Sequence, residues 1–284
     1  MPQTQVLELD DVTLVVEVHG AGPLVVLAHG FPDCLRSFRH QAPALVAAGY
    51  SAALVAMRGY APSSPSRSGR YDAEALGRDL LAVGDALSPE RPFALVGHDW
   101  GAIACQAAAG LAPSRITALA TMAVPHLRVA LPRFLRPAQL RRSLYMLEFQ
   151  PRRATAAVRA DDFDRIEALW RRWSPGYRAT ADEMTDIKNA IGPHLDAVLG
   201  YYRALFRPGI ATLRCLLAKT LPPALYLHGR DDGCIGVELA RGLERAYAGG
   251  LEVGLIGGVG HFLHLERPDE VNTRLVRFLR THHD

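Results

Sequence analysis

Val96-Gly97-His98-Asp99-Trp100-Gly101-Ala102 joins two contrasting patterns in this chain. The apolar run that enters it from Phe93 is typical of a buried strand, and an Ala-rich helical pattern continues from Gly101 to about Leu111. Asp99 therefore falls at the tip of a tight strand-to-helix turn, with a glycine two residues away on each side. Glycine is needed at both positions because a Cβ there would clash with the neighbouring strand or helix.

A carboxylate at this turn is a candidate nucleophile. The start of the following helix favours its ionised form, and an ionised carboxylate can attack carbon and form an ester intermediate. Such chemistry suits epoxides and alkyl halides better than amides. The alternative interpretation is that Asp99 only caps the helix.

Strands and helices alternate along most of the chain. This alternation predicts an α/β fold with a mostly parallel, doubly wound sheet. The predicted strands are two within residues 4–19, then Leu24–Ala28, Ser51–Ala56, Phe93–Gly97, Ile116–Met122, Ala224–His228 and Leu251–Ile256; the predicted helices are Leu35–Ala48, Asp72–Leu87, Gly101–Leu111, Val237–Tyr247 and Pro268–Leu279.

The alternation stops after Pro125. Residues 126–209 show three helical patterns that carry Trp or Tyr, with breaks at Pro151, Pro175-Gly176 and Gly192-Pro193. We therefore predict an all-helical cap domain at 126–209, inserted as a lid into a core formed by residues 1–125 and 210–284.

Composition and charge exclude several classes of protein. With 284 residues, 49% hydrophobic and 21% charged, the chain is an ordinary globular protein of one α/β domain plus an insertion. Residues 125–180 hold 12 Arg against five acids, but the arginines are scattered and lack interleaved aromatics. This pattern favours a solvated helical face over a nucleic-acid partner.

The cysteines and the N-terminus give the remaining expectations. Four cysteines without close pairing indicate neither a metal site nor a disulfide framework. The N-terminus lacks the features of a signal peptide, and no apolar run is long enough for a membrane span, so a cytoplasmic location without membrane contact is expected.

Further candidate residues follow three other strands, at the edge where open α/β sheets build their sites. In His29-Gly30-Phe31-Pro32, the N–H of Phe31 is placed to meet a developing oxyanion, and the N–H of Trp100 would be the second donor. Asp231 and Asp232 follow another strand, and either acid would orient a histidine base.

Three histidines are possible partners for these acids. His261 follows three glycines of the run 257–260 and is the favoured base. His264, three residues later, is its rival and is interpreted as a packing histidine. His98 precedes Asp99 and is interpreted as structural.

These segments resemble the α/β-hydrolase-fold epoxide hydrolases over almost the whole chain. The resemblance rests on His29-Gly30-Phe31-Pro32, residues 57–60, Gly97-His98-Asp99-Trp100-Gly101, Gly229-x-x-Asp232 and the segment 260–268. It selects Asp232 over Asp231 and His261 over His264.

The resemblance also assigns two tyrosines of the cap. Tyr145 lies four residues before Phe149-Gln150, and Tyr202 lies directly before an arginine; in this family such tyrosines protonate the epoxide oxygen. Substrate contacts are then expected from Phe31, Trp100, Tyr145, Phe149 and Tyr202. The chain departs from the family at Ala61-Pro62 and after Gln150, and these departures concern the entrance rather than the chemistry.

The resemblance thus implies a hydrolase that takes a small apolar epoxide and needs no metal or organic cofactor. Asp99 forms the ester, and water activated by His261 and Asp232 releases a diol. A haloalkane dehalogenase is one alternative, although Phe31 stands where a second halide donor is usual. A slow ligand-binding protein on the same fold is another. Whether the chain forms a homodimer is left open.

Overall fold

The computed structural model describes residues 2–283 and has an eight-stranded sheet in the order β1-β2-β4-β3-β5-β6-β7-β8. The first two strands pair antiparallel with their neighbours, and all the others pair parallel. The strands are β1 Gln3–Glu8, β2 Thr13–His19, β3 Leu24–Ala28, β4 Ser51–Ala56, β5 Phe93–His98, β6 Ile116–Met122, β7 Ala224–Gly229 and β8 Leu251–Ile256.

Helices cover both faces of the sheet, as the predicted doubly wound fold requires. β3 to β7 are buried almost completely, because each packs against helices on two sides. The helices are α1 Gln41–Ala47, α2 Ala73–Leu87, α3 Trp100–Leu111, α4 Leu127–Ala130, α5 Pro137–Glu148, α6 Ala154–Trp173, α7 Ala181–Ile191, α8 Leu195–Leu205, α9 Ile210–Leu217, α10 Leu263–Glu266 and α11 Pro268–His282.

Two predicted helices are wrong in extent. The predicted helix at 35–48 is a 3-10 turn at Leu35–Phe38 followed by the short α1. Pro43 has no N–H to donate and its ring would clash with a carbonyl one turn earlier, so a helix begins only just before it. The predicted helix at 237–247 is two 3-10 turns, separated at Gly242, which has a φ of +71°.

The segment 126–209, called the cap below, contains helices α4 to α8 and no strand. It contacts the loops that follow the parallel strands: the Trp170 indole donates to the carbonyl of Pro32 at 2.7 Å, and the Tyr201 hydroxyl donates to that of Arg58 at 2.8 Å. The backbone of α6 leaves the helical conformation at residues 160–163. No helix within residues 2–283 is long and apolar enough to cross a membrane.

Candidate active site

Asp99 occupies the turn between β5 and α3 in a conformation that side chains seldom adopt, with φ 51° and ψ −117°. Its carboxylate makes no capping hydrogen bond to α3. The interpretation of Asp99 as a helix cap is therefore not supported, and the side chain faces the loops at the carboxyl ends of the neighbouring strands instead.

The turn is as tight as the glycine spacing predicts. A Cβ on Gly101 would lie 1.8 Å from the carbonyl oxygen of Ala28, and one on Gly97 would lie 2.4 Å from the oxygen of Gly101. These contacts involve backbone atoms that cannot swing away, so both positions require glycine.

The loop after β3 approaches Asp99 closely. The N–H of Phe31 donates to Oδ1 of Asp99 at 2.8 Å, and a Cβ on Gly30 would lie 2.4 Å from the Cβ of Asp99. The N–H of Trp100 is the first amide of α3 and has no acceptor within the helix. These two amides are the donors expected for an oxyanion at Oδ1.

His261 lies between two carboxylates. Its Nδ1 is 2.8 Å from Oδ2 of Asp232, and its Nε2 is 3.5 Å from Oδ2 of Asp99, an ion-pair distance rather than a short hydrogen bond. The other oxygen of Asp232 accepts the N–H groups of Cys234 and Ile235 at 2.7 and 2.8 Å. The carboxylate of Asp232 is thereby held in one orientation.

Asp231 has no such place in the site. Its side chain is exposed, and its backbone N–H donates to the carbonyl of Val259 at 3.0 Å. Of the two acids that the sequence pattern left open, the structure thus brings Asp232 to the imidazole.

The charges of this group shift its pKa values in opposite directions. Burial by itself raises the pKa of the Asp99 carboxyl, but His261 and the Phe31 N–H outweigh burial, so that this pKa lies below its usual value. Burial by itself lowers the pKa of His261, but the carboxylates of Asp232 and Asp99 outweigh it and raise that pKa. At neutral pH these shifts favour an ionised Asp99 carboxylate beside a protonated His261.

Tyr145 on α5 and Tyr202 on α8 face Asp99 from the cap. Their rings are 5.6 Å apart, and both side chains are buried. The Tyr145 hydroxyl lies 3.5 Å from Sγ of Cys234, whereas that of Tyr202 has no hydrogen-bond partner of normal geometry within residues 2–283. Burial, with a smaller contribution from Asp99, raises both tyrosine pKa values, so the hydroxyls stay protonated and can donate.

A cavity of about 480 Å³ opens from Asp99 and the two tyrosines towards solvent. Ser143 is one of few polar side chains in a lining that is otherwise apolar. The rest of the lining is formed by Trp100, Ile103, Val124, Leu127, Leu131, Phe134, Leu135, Leu140, Leu144, Met146, Leu147, Leu205, Phe206 and Ile235. A small apolar molecule with one polar atom fits this lining.

Two residues predicted to contact substrate lie behind the tyrosines. Phe31 packs edge-on against Tyr202 at 5.2 Å, and Phe149 packs against Tyr145 and Tyr202 at 5.5 and 5.1 Å. Both rings are buried, so they support the tyrosines rather than form the wall of the cavity. Trp173 packs in the same way against Tyr145 and His261.

The two remaining histidines form a separate buried group behind the site. Nε2 of His264 is 2.6 Å from the Ser37 hydroxyl, which donates to Asp33 at 2.5 Å. His98 contacts the carbonyl of His261 through Nε2 at 2.9 Å. These contacts agree with the interpretation of both histidines as structural.

This group is also the place where a metal has to be considered. Ligand atoms of Asp33, His98 and His264 lie within 4.8 Å of one another. Ser37 already bridges Asp33 and Nε2 of His264, and Nε2 of His98 contacts the carbonyl of His261, so each of the three groups has a hydrogen-bond partner. The donor set therefore fits a polar packing network better than a metal site. No sequence signal pointed to Asp33 or Ser37, because His264 lies 227 residues after Ser37.

Sequence analysis also missed two supports of the catalytic loops. The side-chain amide of Gln139 bonds the carbonyl of Cys234 and the N–H of Gly236, each at 2.9 Å. The carbonyl of Trp173 accepts the N–H of His261 at 3.0 Å. A single polar residue in an amphipathic cap helix gives no signal of such a role.

Comparison with known proteins shows which family and fold this chain resembles. A family model described as alpha/beta hydrolase fold matches residues 23–268. Epoxide hydrolase A of Mycobacterium tuberculosis is 33% identical, with 98% of this chain and 97% of the relative covered. An epoxide hydrolase of Caballeronia sordidicola is 32% identical, with 95% and 91% covered. The crystal structure of Epoxide Hydrolase A from Mycobacterium thermoresistibile superposes with a TM-score of 0.84 at 31% identity, covering 99% of this chain and 98% of that one.

Proposed function

Because this chain belongs to the α/β-hydrolase-fold epoxide hydrolase family, we propose that it converts an epoxide to a vicinal diol through a covalent ester on Asp99. The observation that carries the proposal is the position of the Asp99 carboxylate. One oxygen is held by the Phe31 N–H, and the other faces both His261 and a cavity that contains two protonated tyrosines.

In the first half of the proposed cycle, Oδ2 of Asp99 attacks an epoxide carbon and the carbon–oxygen bond of the ring breaks. The leaving oxygen becomes an alkoxide, which takes a proton from Tyr145 or Tyr202. An alkoxide is a far stronger base than a phenolate, so this transfer is favourable although burial raises both tyrosine pKa values. The product is a hydroxyalkyl ester of Asp99.

The second half needs His261 as a base, so its imidazolium must first lose a proton. Ester formation removes the negative charge of Asp99, which is one of the two carboxylates that raise the pKa of His261. The imidazolium therefore gives its proton to the tyrosinate, and the neutral imidazole, oriented by Asp232, then takes a proton from water, whose hydroxide attacks the ester carbonyl. The N–H groups of Phe31 and Trp100 hold the oxyanion. Its collapse breaks the acyl carbon–oxygen bond, and the proton of the new carboxyl group passes to the leaving alkoxide, which gives the diol and returns Asp99 to a carboxylate.

Intact-protein mass spectrometry of His261→Gln tests this function. After incubation with styrene oxide, the variant should gain the mass of the whole epoxide, because the ester forms but is not hydrolysed. The adduct should be absent in the double variant with Asp99→Asn. His264→Gln is the matched control, since His264 is a buried histidine three residues later, on α10, that does not contact Asp99 or Asp232; it should not accumulate the adduct.

The same experiment with 1-bromobutane separates the alternative chemistry. A gain of one butyl group on Asp99 and none from the epoxide would assign the protein as a dehalogenase. No adduct from either reagent, together with no turnover by the unmodified protein, would contradict the proposal.

A further inference from the structure

The mouth of the cavity is surrounded by large apolar side chains that face solvent. Six residues line the cavity and are also about half exposed or more: Leu131, Leu135, Leu140, Leu144, Leu147 and Phe206. Ile210, 72% exposed, lies four residues after Phe206, at the start of α9. We call these seven residues the mouth patch. A contiguous apolar surface of this kind marks an interaction site.

The charges beside the mouth patch are mostly positive. Residues 127–148 and 203–219 contain nine arginines and lysines and one acidic residue, Glu148, which is paired with Arg165. Three exposed arginines directly follow residues of the patch in sequence: Arg136 follows Leu135, Arg141 follows Leu140, and Arg207 follows Phe206. An apolar centre with a cationic border is complementary to the surface of an anionic lipid layer.

We propose that the mouth patch docks peripherally on anionic lipid surfaces and opens the cavity towards the apolar phase. The contact needs no membrane-spanning helix, although it departs from the expectation of no membrane contact. The docking does not depend on the proposed function. The consequence for the substrate rests on the proposed function: the docked enzyme takes up lipophilic epoxides that have partitioned into the lipid.

A second copy of this chain fits the mouth patch less well. A two-fold contact places the same surface on both sides, so arginines would face arginines, and the one acid of these segments, Glu148, is already paired with Arg165. Such a contact would also close both cavities. An anionic lipid layer instead neutralises the arginines and leaves the cavity open to apolar molecules.

Flotation with vesicles tests the proposal without any substrate. Vesicles of phosphatidylcholine containing phosphatidylglycerol should carry the protein upwards, vesicles of phosphatidylcholine alone should carry much less, and added salt should release it. Arg136→Gln with Arg141→Gln should lower the partition coefficient roughly 30-fold, because each arginine near an anionic surface contributes about fivefold.

Matched controls distinguish binding through the mouth patch from nonspecific adsorption to vesicles. Leu135→Ser with Ile210→Ser should reduce binding, whereas Val253→Ser, which alters a 52% exposed valine on β8, should not. Arg280→Gln, on α11, serves as the arginine control. Equal binding to neutral vesicles, binding unaffected by the patch variants, or a dimer in sedimentation velocity that the patch variants dissociate would each overturn the proposal. Since no turnover is measured, a negative result here leaves the proposed function untouched.

Discussion

Replacement of Asp232 by Asn should arrest the proposed cycle at its second half, and the reason lies in the hydrogen bonds of this side chain. Oδ1 of Asp232 accepts two backbone N–H groups, from Cys234 and Ile235. In Asp232→Asn only the carboxamide oxygen can accept them, so the NH2 group must point at Nδ1 of His261. Nδ1 then has to accept a hydrogen bond, and the single proton of the neutral ring moves to Nε2.

An imidazole with its proton on Nε2 cannot take a proton from water at the ester. In a Ser-His-Asp triad, the same change of tautomer lowers kcat by about 10⁴, equivalent to about 5.4 kcal/mol of transition-state stabilisation. We expect a loss of this order in ester hydrolysis. Alkylation of Asp99 should continue, since its attacking oxygen and the Phe31 N–H are unchanged.

Quenched-flow mass spectrometry with styrene oxide measures both steps in one experiment. Asp232→Asn should accumulate the ester at close to one per molecule, with slow steady-state turnover. Asp231→Asn is the matched control, because Asp231 is the adjacent acid and its side chain is exposed; it should turn over normally. Steady-state turnover of Asp232→Asn within about tenfold of the unmodified protein, without accumulated ester, would refute the reasoning.

Three further outcomes are expected. Tyr145→Phe or Tyr202→Phe should slow single-turnover alkylation by roughly 10²–10⁴-fold, and the double variant should be slower still, with an unchanged circular dichroism spectrum. Because the pKa of His261 is raised in the folded state, its imidazolium stabilises the fold. This contribution is complete below the unfolded pKa of about 6.5 and is lost as pH rises through the higher folded pKa. Urea unfolding should therefore show a steeper loss of stability from neutral to alkaline pH than in His261→Gln. Gly101→Ala, whose Cβ would meet a backbone oxygen at 1.8 Å, should cost roughly 3 kcal/mol or more in urea unfolding, whereas Gly257→Ala, with no atom within 4 Å, should change stability by less than about 1 kcal/mol.

The parts of the fold that sequence predicts well are those fixed by local pattern. Five of the strands are mostly apolar runs because helices cover both of their faces. A polar residue in the short turn between such a strand and a helix therefore stands out in the sequence. The two helices predicted with the wrong extent each contain a residue that interrupts the backbone, Pro43 or Gly242. Apolar periodicity continues across such a residue, so the pattern alone does not show the interruption.

The cap shows what periodicity cannot resolve. Large apolar residues of an amphipathic cap can line a substrate cavity or pack against the core, and the structure shows both uses. Phe134, Leu144 and Leu147 line the cavity. Phe149, Trp170 and Trp173 are buried against the rings of the core and the tyrosines; Trp170 stacks on Phe262 with centroids 3.6 Å apart. Both sets follow helical spacing, so only the position of each helix separates them.

The buried charges explain why one histidine serves both halves of the proposed cycle. With Asp99 ionised, His261 lies between two carboxylates and holds its proton, so it stabilises the nucleophile and cannot act as a base. Once Asp99 is an ester, only Asp232 still favours the imidazolium, and the ring releases its proton before water must be activated. The change in the role of His261 therefore needs no movement of the protein. It follows from the loss of one negative charge about 3.5 Å from Nε2. Burial strengthens the interaction between charges at this position.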